Sequence, residues 1–380
     1  MSLVRNLKIA AFRGITAIEG RRSVPSARLR EVDNFIVFQH ATALGTVIHS
    51  TPLFSALRHA VPSAHIAAVA SGFSLDALRN NPAIDSVIET PSPLKDLKSS
   101  IQSIRRQFPF HNSNFVSLFP SGNERTVVTL QALFGGASTR VGFAVEPALF
   151  QVPLAFDRTT SQIANNLRIV EALGHTSIHF EPKIFFTEQD TAVVAELLAD
   201  SGVDLSRPIV VFVTQTSVTQ RKSWRPERFH EAAIYLKERY GANIVFVGTA
   251  SESAAIDQLR SGLPFATSNV AGKTNLSQLT ALMSLATVGL TLDTGPLHIG
   301  RAAGLPMVVI APAWSPPIEW LPVDNERYRI LKNADMPSAS PDYIIDEVSV
   351  AEVLSALDDL LSSYAAERLQ PSALRVLRET

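Results

Sequence analysis

The stretch LTLDTGPLHIGRAAG (290–304) places an acid, a hydroxyl, a glycine and a histidine at one point of the chain. Its apolar run stops at Asp293, and Thr294 and Gly295 precede an alanine- and glycine-rich segment that carries His298. This order predicts a strand, a tight turn and a helix. The free N–H groups at a helix start bind anions, and a glycine there leaves them accessible. The stretch therefore predicts a phosphate site with Asp293 and His298 beside it.

Two further apolar segments are followed by residues of complementary chemistry. After IVVFV, Thr216 and Ser217 provide hydroxyl donors, and Lys222 provides an ammonium group suited to a diphosphate. After NIVFVG, Glu252 is suited to accepting hydrogen bonds from ribose hydroxyls. Ligands of open parallel sheets bind beyond the carboxyl ends of the strands. Three such strand ends together therefore favour a nucleotide site.

Each of these residues also has an ordinary structural interpretation. Asp293 and Glu252 suit helix starts, and Lys222 suits a solvated loop. His298 suits a hydrogen-bonded position in a core. The signatures of other sites are absent from the sequence, namely G-x-x-x-x-G-K-[ST], G-x-G-x-x-G, H-E-x-x-H and G-x-S-x-G. No D-x-D occurs either, so we expect no metal at the diphosphate and expect Lys222 and the helix dipole to meet its charge.

The bulk properties of the chain exclude several function classes. Its 380 residues exceed what one hydrophobic core usually organises, so we expect two domains. A net charge of −1 gives no general attraction for nucleic acid, and we expect no such partner. The absence of cysteine excludes disulfides and thiolate metal sites. No apolar run is long enough to cross a bilayer or to form a secretion signal, so we expect a cytoplasmic location.

The elements that must position these residues alternate regularly from residue 33. Apolar segments of strand length alternate with segments of helix length, which predicts an α/β fold with parallel sheets. The predicted strands are NFIVFQ, AHIAAVA, IDSVIET and NFVSLFP in the first half and PIVVFVTQTS, ANIVFVGTAS, TVGLTLDTG and PMVVIAP in the second. The expected divisions are a basic extension (1–32), a first domain (33–158), a helical connector (159–206), a second domain (207–347) and a C-terminal helix packing across the domains (348–380).

The basic extension carries apolar residues at helical spacing and many arginines and lysines. Such a segment suits an anionic membrane surface, here the inner face of the cytoplasmic membrane. It is equally suited to docking as a helix on the protein's own surface, and a likeness to a transit peptide is a weaker third interpretation.

Five stretches resemble the glycosyltransferase family that includes the ADP-heptose:lipopolysaccharide heptosyltransferases, glycosyltransferase family 9. They are VFVGTASE, VAGKTNLSQLTALMSLATVGLTLDTGPLHIGRAAGLPMVVIAP, the Lys-Trp pair of RKSW, LGTVIHSTPLFSALRHAVPSAHI and IANNLRIVEALG. The similarity runs from about Phe35 to Leu361, and D-[ST]-G-x-x-H is its most specific part. The resemblance implies a GT-B fold, in which two Rossmann-like domains with parallel sheets face each other across a cleft.

The resemblance also implies a reaction. It predicts metal-independent, inverting transfer of a heptose or related sugar from a nucleotide-diphosphate donor to a glycan or glycolipid acceptor, as in lipopolysaccharide biosynthesis, without a cofactor. The donor would bind the second domain and the acceptor the first. By position, the resemblance assigns Thr216, Ser217 and Lys222 to the diphosphate, Glu252 to the ribose, and Asp293, Thr294, Gly295 and His298 to the phosphates and the sugar.

One departure from the family concerns the catalytic base. The family usually reads Leu/Met-Gly-Asp where this chain has LGT (44–46), and that aspartate is the expected base. The hydroxyl of Thr46 cannot accept a proton near neutral pH. His49, His40 or an acid such as Glu124 would then supply the base. Alternatively, the protein binds a nucleotide sugar without transferring it, or acts as a GT-B-like epimerase or hydrolase.

Overall fold

The computed structural model describes residues 11–17, 23–107, 115–136, 139–216, 222–315, 317–340 and 342–368. The chain divides into two compact units, Met1–Lys183 and Ile184–Thr380. Each unit contains a six-stranded sheet in which every described pair of neighbouring strands is parallel. The predicted α/β class and the parallel sheets are therefore confirmed.

The first unit is built on six short strands. They are β1 (Asn34–Gln39), β2 (His65–Ala70), β3 (Ser86–Glu89), β4 (Val116–Phe119), β5 (Arg140–Phe143) and β6 (Val152–Leu154), in the spatial order β3-β2-β1-β4-β5-β6. Its helices are α1 (11–17), α2 (Leu44–Ala60), α3 (Phe73–Leu78), α4 (Leu97–Gln107), α5 (Thr126–Gly135) and α6 (Gln162–Ala172). Ser26–Glu31 and Pro147–Leu149 are 3-10 helices.

Strand β1 shows why the first sheet is buried on both faces. Successive side chains of a strand point to opposite faces. Phe35 and Val37 accordingly join a core that includes side chains of α2 and α6. Ile36 and Phe38 join a second core that includes side chains of α4 and α5. A near-continuous apolar run is what a parallel strand covered by helices on both faces requires.

The structure contains strands that the sequence pattern does not reveal. The four strands predicted in the first half are confirmed as β1 to β4. Strand β5 escaped prediction because it is short and begins with Arg140, a charged residue that is nevertheless fully buried. Its guanidinium group is satisfied locally, since Nε donates to the carbonyl of Leu149 at 2.5 Å.

Part of the predicted basic extension packs onto the first unit. Leu29 and Val32 are buried in its core, and Phe12 of α1 packs against the second core cluster. The hydroxyl of Thr16 donates to the carbonyl of Ala148 at 2.6 Å. Residues 1–10 and 18–22 lie outside the described residues. The described part of the extension therefore docks on the protein's own surface.

The second unit repeats the strand order of the first. Its strands are β7 (Ile209–Val213), β8 (Asn243–Phe246), β9 (Ser268–Asn269), β10 (Val288–Leu292), β11 (Met307–Ile310) and β12 (Tyr328–Leu331), in the order β12-β11-β10-β7-β8-β9. Its helices are α7 (Glu188–Asp200), α8 (Pro226–Tyr240), α9 (Ser253–Arg260), α10 (Leu276–Leu285), α11 (Gly295–Ala302), α12 (Pro317–Trp320) and α13 (Val350–Arg368).

The strands predicted in the second half are confirmed as β7, β8, β10 and β11. Strands β9 and β12 were not predicted, and β9 is only two residues long. Three apolar residues of α13, namely Val353, Leu357 and Leu360, lie in the core of the second unit. Among the described helices, none combines the length and the apolar character that crossing a membrane requires.

Both sheets have a topological switch point. In each, the first strand in sequence lies between the second and the fourth, so the connections leave it in opposite directions. A crevice opens at such a point beyond the carboxyl ends of the two central strands, and ligands of doubly wound sheets bind there. The two strands are β1 and β4 in the first unit and β7 and β10 in the second. The loops after these strands carry most of the predicted site residues.

Candidate active site

An ion pair lies at the switch point of the second unit. Asp293 follows β10 directly, and Lys222 lies on the loop after the neighbouring strand β7. The Nζ atom of Lys222 is 2.6 Å from Oδ2 of Asp293, with exposed side-chain fractions of 13% and 6%. The carboxylate therefore holds an ammonium group in place at the carboxyl edge of the sheet, where the sequence predicts a diphosphate.

The chain next to Lys222 is anchored in the core, and a second tryptophan lies near its ammonium group. The indole of Trp224 is buried in the core of the unit, and its Nε1 donates to the carbonyl of Val348 at 3.0 Å. Lys222 Nζ also lies 5.7 Å from the ring centroid of Trp314. A cation over an aromatic face is attracted electrostatically. Trp314 was not predicted as a site residue, because nothing in the sequence relates the loop after β11 to Lys222.

The start of α11 carries a buried hydroxyl for which the described residues provide no hydrogen-bond partner. Thr294 is the N-cap residue, with an extended backbone, but its side chain makes no capping hydrogen bond. Its Oγ1 atom is buried and has no hydrogen-bond partner among the described residues. Asp293, which also suited the role of a cap, is bonded to Lys222 instead. The hydroxyl of Thr294 and the N–H of Gly295 thus lie beside an ammonium group, whereas Pro296 has no N–H and that of Leu297 donates to the carbonyl of Thr294 at 3.1 Å.

His298 lies one turn into α11 and is buried, with an exposed fraction of 6%. Burial lowers the pKa of His298 to about 4; the charge of Asp293 raises it, whereas Arg301 and Lys222 lower it further. Its imidazole is therefore neutral near pH 7, and one ring nitrogen carries a hydrogen that can be donated to a phosphate or sugar oxygen. The ring of Trp320 lies 6.0 Å away, between centroids.

Glycines allow α11 to lie close to the sheet. A Cβ atom at Gly300 would lie 2.5 Å from Sδ of Met307 in β11. A Cβ atom at Gly289 in β10 would lie 2.9 Å from Cγ of the same methionine. Both distances are shorter than van der Waals contact, so the helix and the strands pack at a distance that larger residues would not permit. Gly289 and Gly300 thus set the close packing of α11 against β10 and β11.

Two of the remaining predicted donor residues, Thr216 and Glu252, follow the neighbouring strands β7 and β8. Thr216 follows β7, and its Oγ1 lies 3.5 Å from Oγ of Ser223, next to Lys222. Glu252 follows β8 and closes a capping box, since its Oε2 accepts from the backbone N–H of Thr249 at 2.7 Å. The helix-start interpretation of Glu252 is thus confirmed for one carboxylate oxygen. Ser217 lies outside the described residues.

In the first unit, Thr46 lies at the start of α2, against the loop that follows β4. A Cβ atom at Gly122 would lie only 2.1 Å from Cγ2 of Thr46, and Gly122 has a φ of +87°. The N–H of Gly122 donates to Oε2 of Glu124 at 2.6 Å. Thr46 of α2 and Glu124, a predicted candidate for the base, therefore both lie against the same residue, Gly122.

The two histidines of this region are both buried. His40 follows β1 with an exposed fraction of 4%, and its Nδ1 lies 3.1 Å from Oγ of Ser71. Burial lowers the pKa of His40 to about 4; a hydrogen bond with Gln131 raises it, and the charge of Arg125 lowers it. His49 is 1% exposed inside α2, and its carbonyl accepts from Nδ2 of Asn166 at 3.0 Å.

Among the described residues, no three histidine or acidic side chains are grouped so as to hold a metal ion. The structure brings Lys222, Asp293, Thr294 and His298 together at one switch point. It places Thr46 and Glu124 at the other. The sequence pattern did not predict Trp314 as a site residue, nor the contact of Thr46 with Gly122.

Comparisons with known proteins place these features in a family. The family model for glycosyltransferase family 9 (heptosyltransferase) matches residues 130–340. The lipopolysaccharide core heptosyltransferase OpsX of Haemophilus influenzae is 31% identical over 129 residues, which are 33% of this chain and 36% of that protein. The matched part thus spans about a third of this curated relative.

Two solved structures share the fold over nearly their whole length. A family 9 glycosyltransferase from Veillonella parvula has a TM-score of 0.77 at 20% identity, covering 87% of this chain and 97% of that one. The ADP-heptose lipopolysaccharide heptosyltransferase II of E. coli has a TM-score of 0.68 at 19% identity, covering 87% and 99%. With the two repeated sheet orders, they confirm the predicted GT-B fold of two Rossmann-like units.

Proposed function

This chain belongs to glycosyltransferase family 9, and we propose that it transfers a heptose or related sugar from a nucleoside-diphosphate donor to a glycan or glycolipid acceptor. The observation that carries the proposal is the ion pair of Lys222 and Asp293 beside the start of α11. The names of the relatives support the choice of substrates, since one acts on the lipopolysaccharide core and another is an ADP-heptose enzyme.

The second unit offers the groups that a diphosphate needs. The ammonium of Lys222 supplies a positive charge, and the N–H of Gly295 at the start of α11 supplies a donor at the positive end of the helix dipole. Thr294 Oγ1, which has no partner among the described residues, supplies a further donor. The neutral imidazole of His298 adds a hydrogen bond without adding charge.

The same groups serve the chemical step that we propose. The acceptor oxygen forms a bond to the anomeric carbon, from the side opposite the diphosphate, which inverts the configuration. The bond between the anomeric carbon and the diphosphate oxygen breaks, and its electron pair leaves with the nucleoside diphosphate. Lys222 and the start of α11 stabilise the charge that develops on this leaving group. The acceptor proton goes to a base of the protein. In this proposal, no metal ion takes part in the transfer.

A donor screen tests the proposal. The purified full chain is titrated calorimetrically with ADP-, GDP-, UDP- and dTDP-sugars, and products with lipopolysaccharide-core acceptors are detected by mass. We expect one donor to bind and to lose its sugar only when acceptor is present. Lys222→Ala should weaken donor binding at least tenfold, whereas exposed Lys98→Ala should not. Unchanged binding and turnover in Lys222→Ala would refute the site.

The screen also separates the competing functions. Donor binding without product for any acceptor would identify a nucleotide-sugar-binding protein that lacks transfer. Donor consumption without acceptor would identify an epimerase or a hydrolase. Both outcomes would leave the nucleotide site in place while rejecting transfer.

We further propose a cytoplasmic location with peripheral contact to the inner face of the membrane, where glycolipid acceptors lie. The charge of the basic extension supports this proposal, and Arg13 is exposed on α1. Co-sedimentation with vesicles containing anionic lipid tests it. The full chain should bind more strongly than a variant with Arg5, Lys8 and Arg13 replaced by Glu; equal binding would reject the contact.

A further inference from the structure

The loop after β4 (120–125) is fixed against the loop after β1. The side-chain oxygen of Asn123 accepts from the backbone N–H of His40 at 2.5 Å, and Nη2 of Arg125 donates to the hydroxyl of Thr42 at 2.9 Å. On its other side, Ser121 N–H donates to Oδ1 of Asn166 at 2.8 Å. The turn at the switch point of the first unit is therefore held on two sides, by the loop after β1 and by α6.

Within this turn, the carboxylate of Glu124 has a defined position. Its Oε2 accepts from the N–H of Gly122 at 2.6 Å, and Gly122 is the residue whose missing Cβ makes room for Thr46. Glu124 is half-buried, so it reaches the surface of the unit. A carboxylate thus lies at the carboxyl end of β4, next to the position where the chain carries a threonine at the start of α2.

The other groups at this switch point are poorly suited to take a proton from an acceptor. The hydroxyl of Thr46 is not basic near neutral pH. His40 and His49 are almost completely buried, and burial lowers the pKa of His40 to about 4. Burial instead raises the pKa of Glu124, although the N–H groups of Glu124 and Gly122 and the charge of Arg125 lower it. A half-buried carboxylate is therefore a stronger base than a solvated one.

We propose that Glu124 is the catalytic base of the first unit and accepts the proton of the acceptor hydroxyl. This inference rests on the proposed transfer function. As the acceptor oxygen bonds to the anomeric carbon, its O–H bond breaks and the proton moves to the carboxylate. The electron pair of the broken sugar–diphosphate bond leaves with the nucleoside diphosphate, and the proton on Glu124 passes to water after turnover.

The Glu124→Gln variant tests the inference, because it keeps the size of the side chain and removes its basicity. We expect kcat to fall by about 10²-fold or more, the usual contribution of a general base, with donor Kd and denaturation midpoint unchanged. Glu89→Gln, at the exposed end of β3, is the matched control and should keep the wild-type kcat. A kcat within threefold of wild type in Glu124→Gln overturns the inference.

Two further measurements distinguish a base from a structural acid. If Glu124→Gln is slow because donor affinity or the denaturation midpoint falls, the residue is structural and the inference is rejected. The double variant E124Q/T46D places a carboxylate next to the same turn and should recover at least tenfold in kcat over E124Q; no recovery rejects the inference. A wild-type chain that binds donor but transfers to no acceptor instead rejects the proposed function.

Discussion

Lys222 Nζ and Asp293 Oδ2 lie 2.6 Å apart although 71 positions separate the two residues in the chain. Their strands, β7 and β10, are neighbours at the switch point of the second sheet. Both side chains are nearly buried, and a buried charge without a partner is costly. The pair thus keeps an ammonium group ready at the sheet edge, and the proposed diphosphate would share that ammonium with Asp293.

Removing the lysine alone should therefore have two effects. In Lys222→Met, the carboxylate of Asp293 loses its partner, and we expect the free energy of unfolding to fall by about 3 kcal/mol. Donor affinity should also fall at least tenfold. The double variant K222M/D293N should recover most of the stability but not the affinity. Urea denaturation and calorimetry measure the two quantities, and equal stability of single and double variants would contradict the buried-pair account.

Replacing Thr294 should lower donor affinity without lowering stability. Its buried hydroxyl has no partner among the described residues, so Thr294→Val removes an unsatisfied group at nearly constant shape. We expect the free energy of unfolding to stay equal or to rise by about 1 kcal/mol, while donor affinity falls. Thr294→Ser keeps the hydroxyl and should keep the affinity. A loss of stability in Thr294→Val would show that the hydroxyl serves the fold.

The lowered pKa of His298 should make the stability of the fold depend on pH. Its pKa is lowered from 6.5 to about 4, chiefly by burial. Between these values the unfolded chain binds a proton that the folded chain does not, so stability falls as pH falls through this window. The full effect is about 3 kcal/mol. Urea unfolding at pH 7.5 and 4.5 should show this loss in the wild type and in exposed His59→Gln, but a smaller loss in His298→Gln.

A side chain at position 122 should clash with Thr46. In Gly122→Ala, the new Cβ meets Cγ2 of Thr46 and the backbone keeps a φ of +87°. We expect a loss of about 2–4 kcal/mol in unfolding free energy, from the left-handed backbone and from overpacking together. G122A/T46S removes that methyl group and should recover the overpacking part.

Gly72→Ala is the matched control, because Gly72 has a φ of +58° but its Cβ would meet nothing within 4 Å. It should lose only about 1–2 kcal/mol, the cost of the backbone conformation. Equal losses in the two alanine variants would contradict the contact between Gly122 and Thr46.

Removal of divalent ions should leave transfer unchanged. The expectation rests on Lys222, whose ammonium group lies at the edge of the sheet where the proposed diphosphate would bind. Initial rates with and without EDTA are the measurement, and activity that disappears with EDTA and returns with added magnesium would reject metal-independent transfer.

Several features could be predicted from the sequence because they depend on local pattern. Continuous apolar runs mark strands that are buried on both faces, as in β1 and β10. The short β5 could not be found in this way, since the fully buried Arg140 interrupts the pattern. Its burial depends on the carbonyl of Leu149, nine residues further along the chain, and no strand propensity reports such a partner.

The sequence by itself determined the α/β class and the chemistry of the strand ends, because the carboxyl ends of parallel strands lie at one edge of a sheet. Only the tertiary structure decided which ends are neighbours. It paired Lys222 with Asp293, left Thr294 Oγ1 without a described partner, and placed Glu124 and Thr46 against the same residue, Gly122. The physical reason is that helix-length connections, which are visible in the sequence, make the strands parallel. The order of the strands across the sheet depends instead on how the helices pack on its two faces.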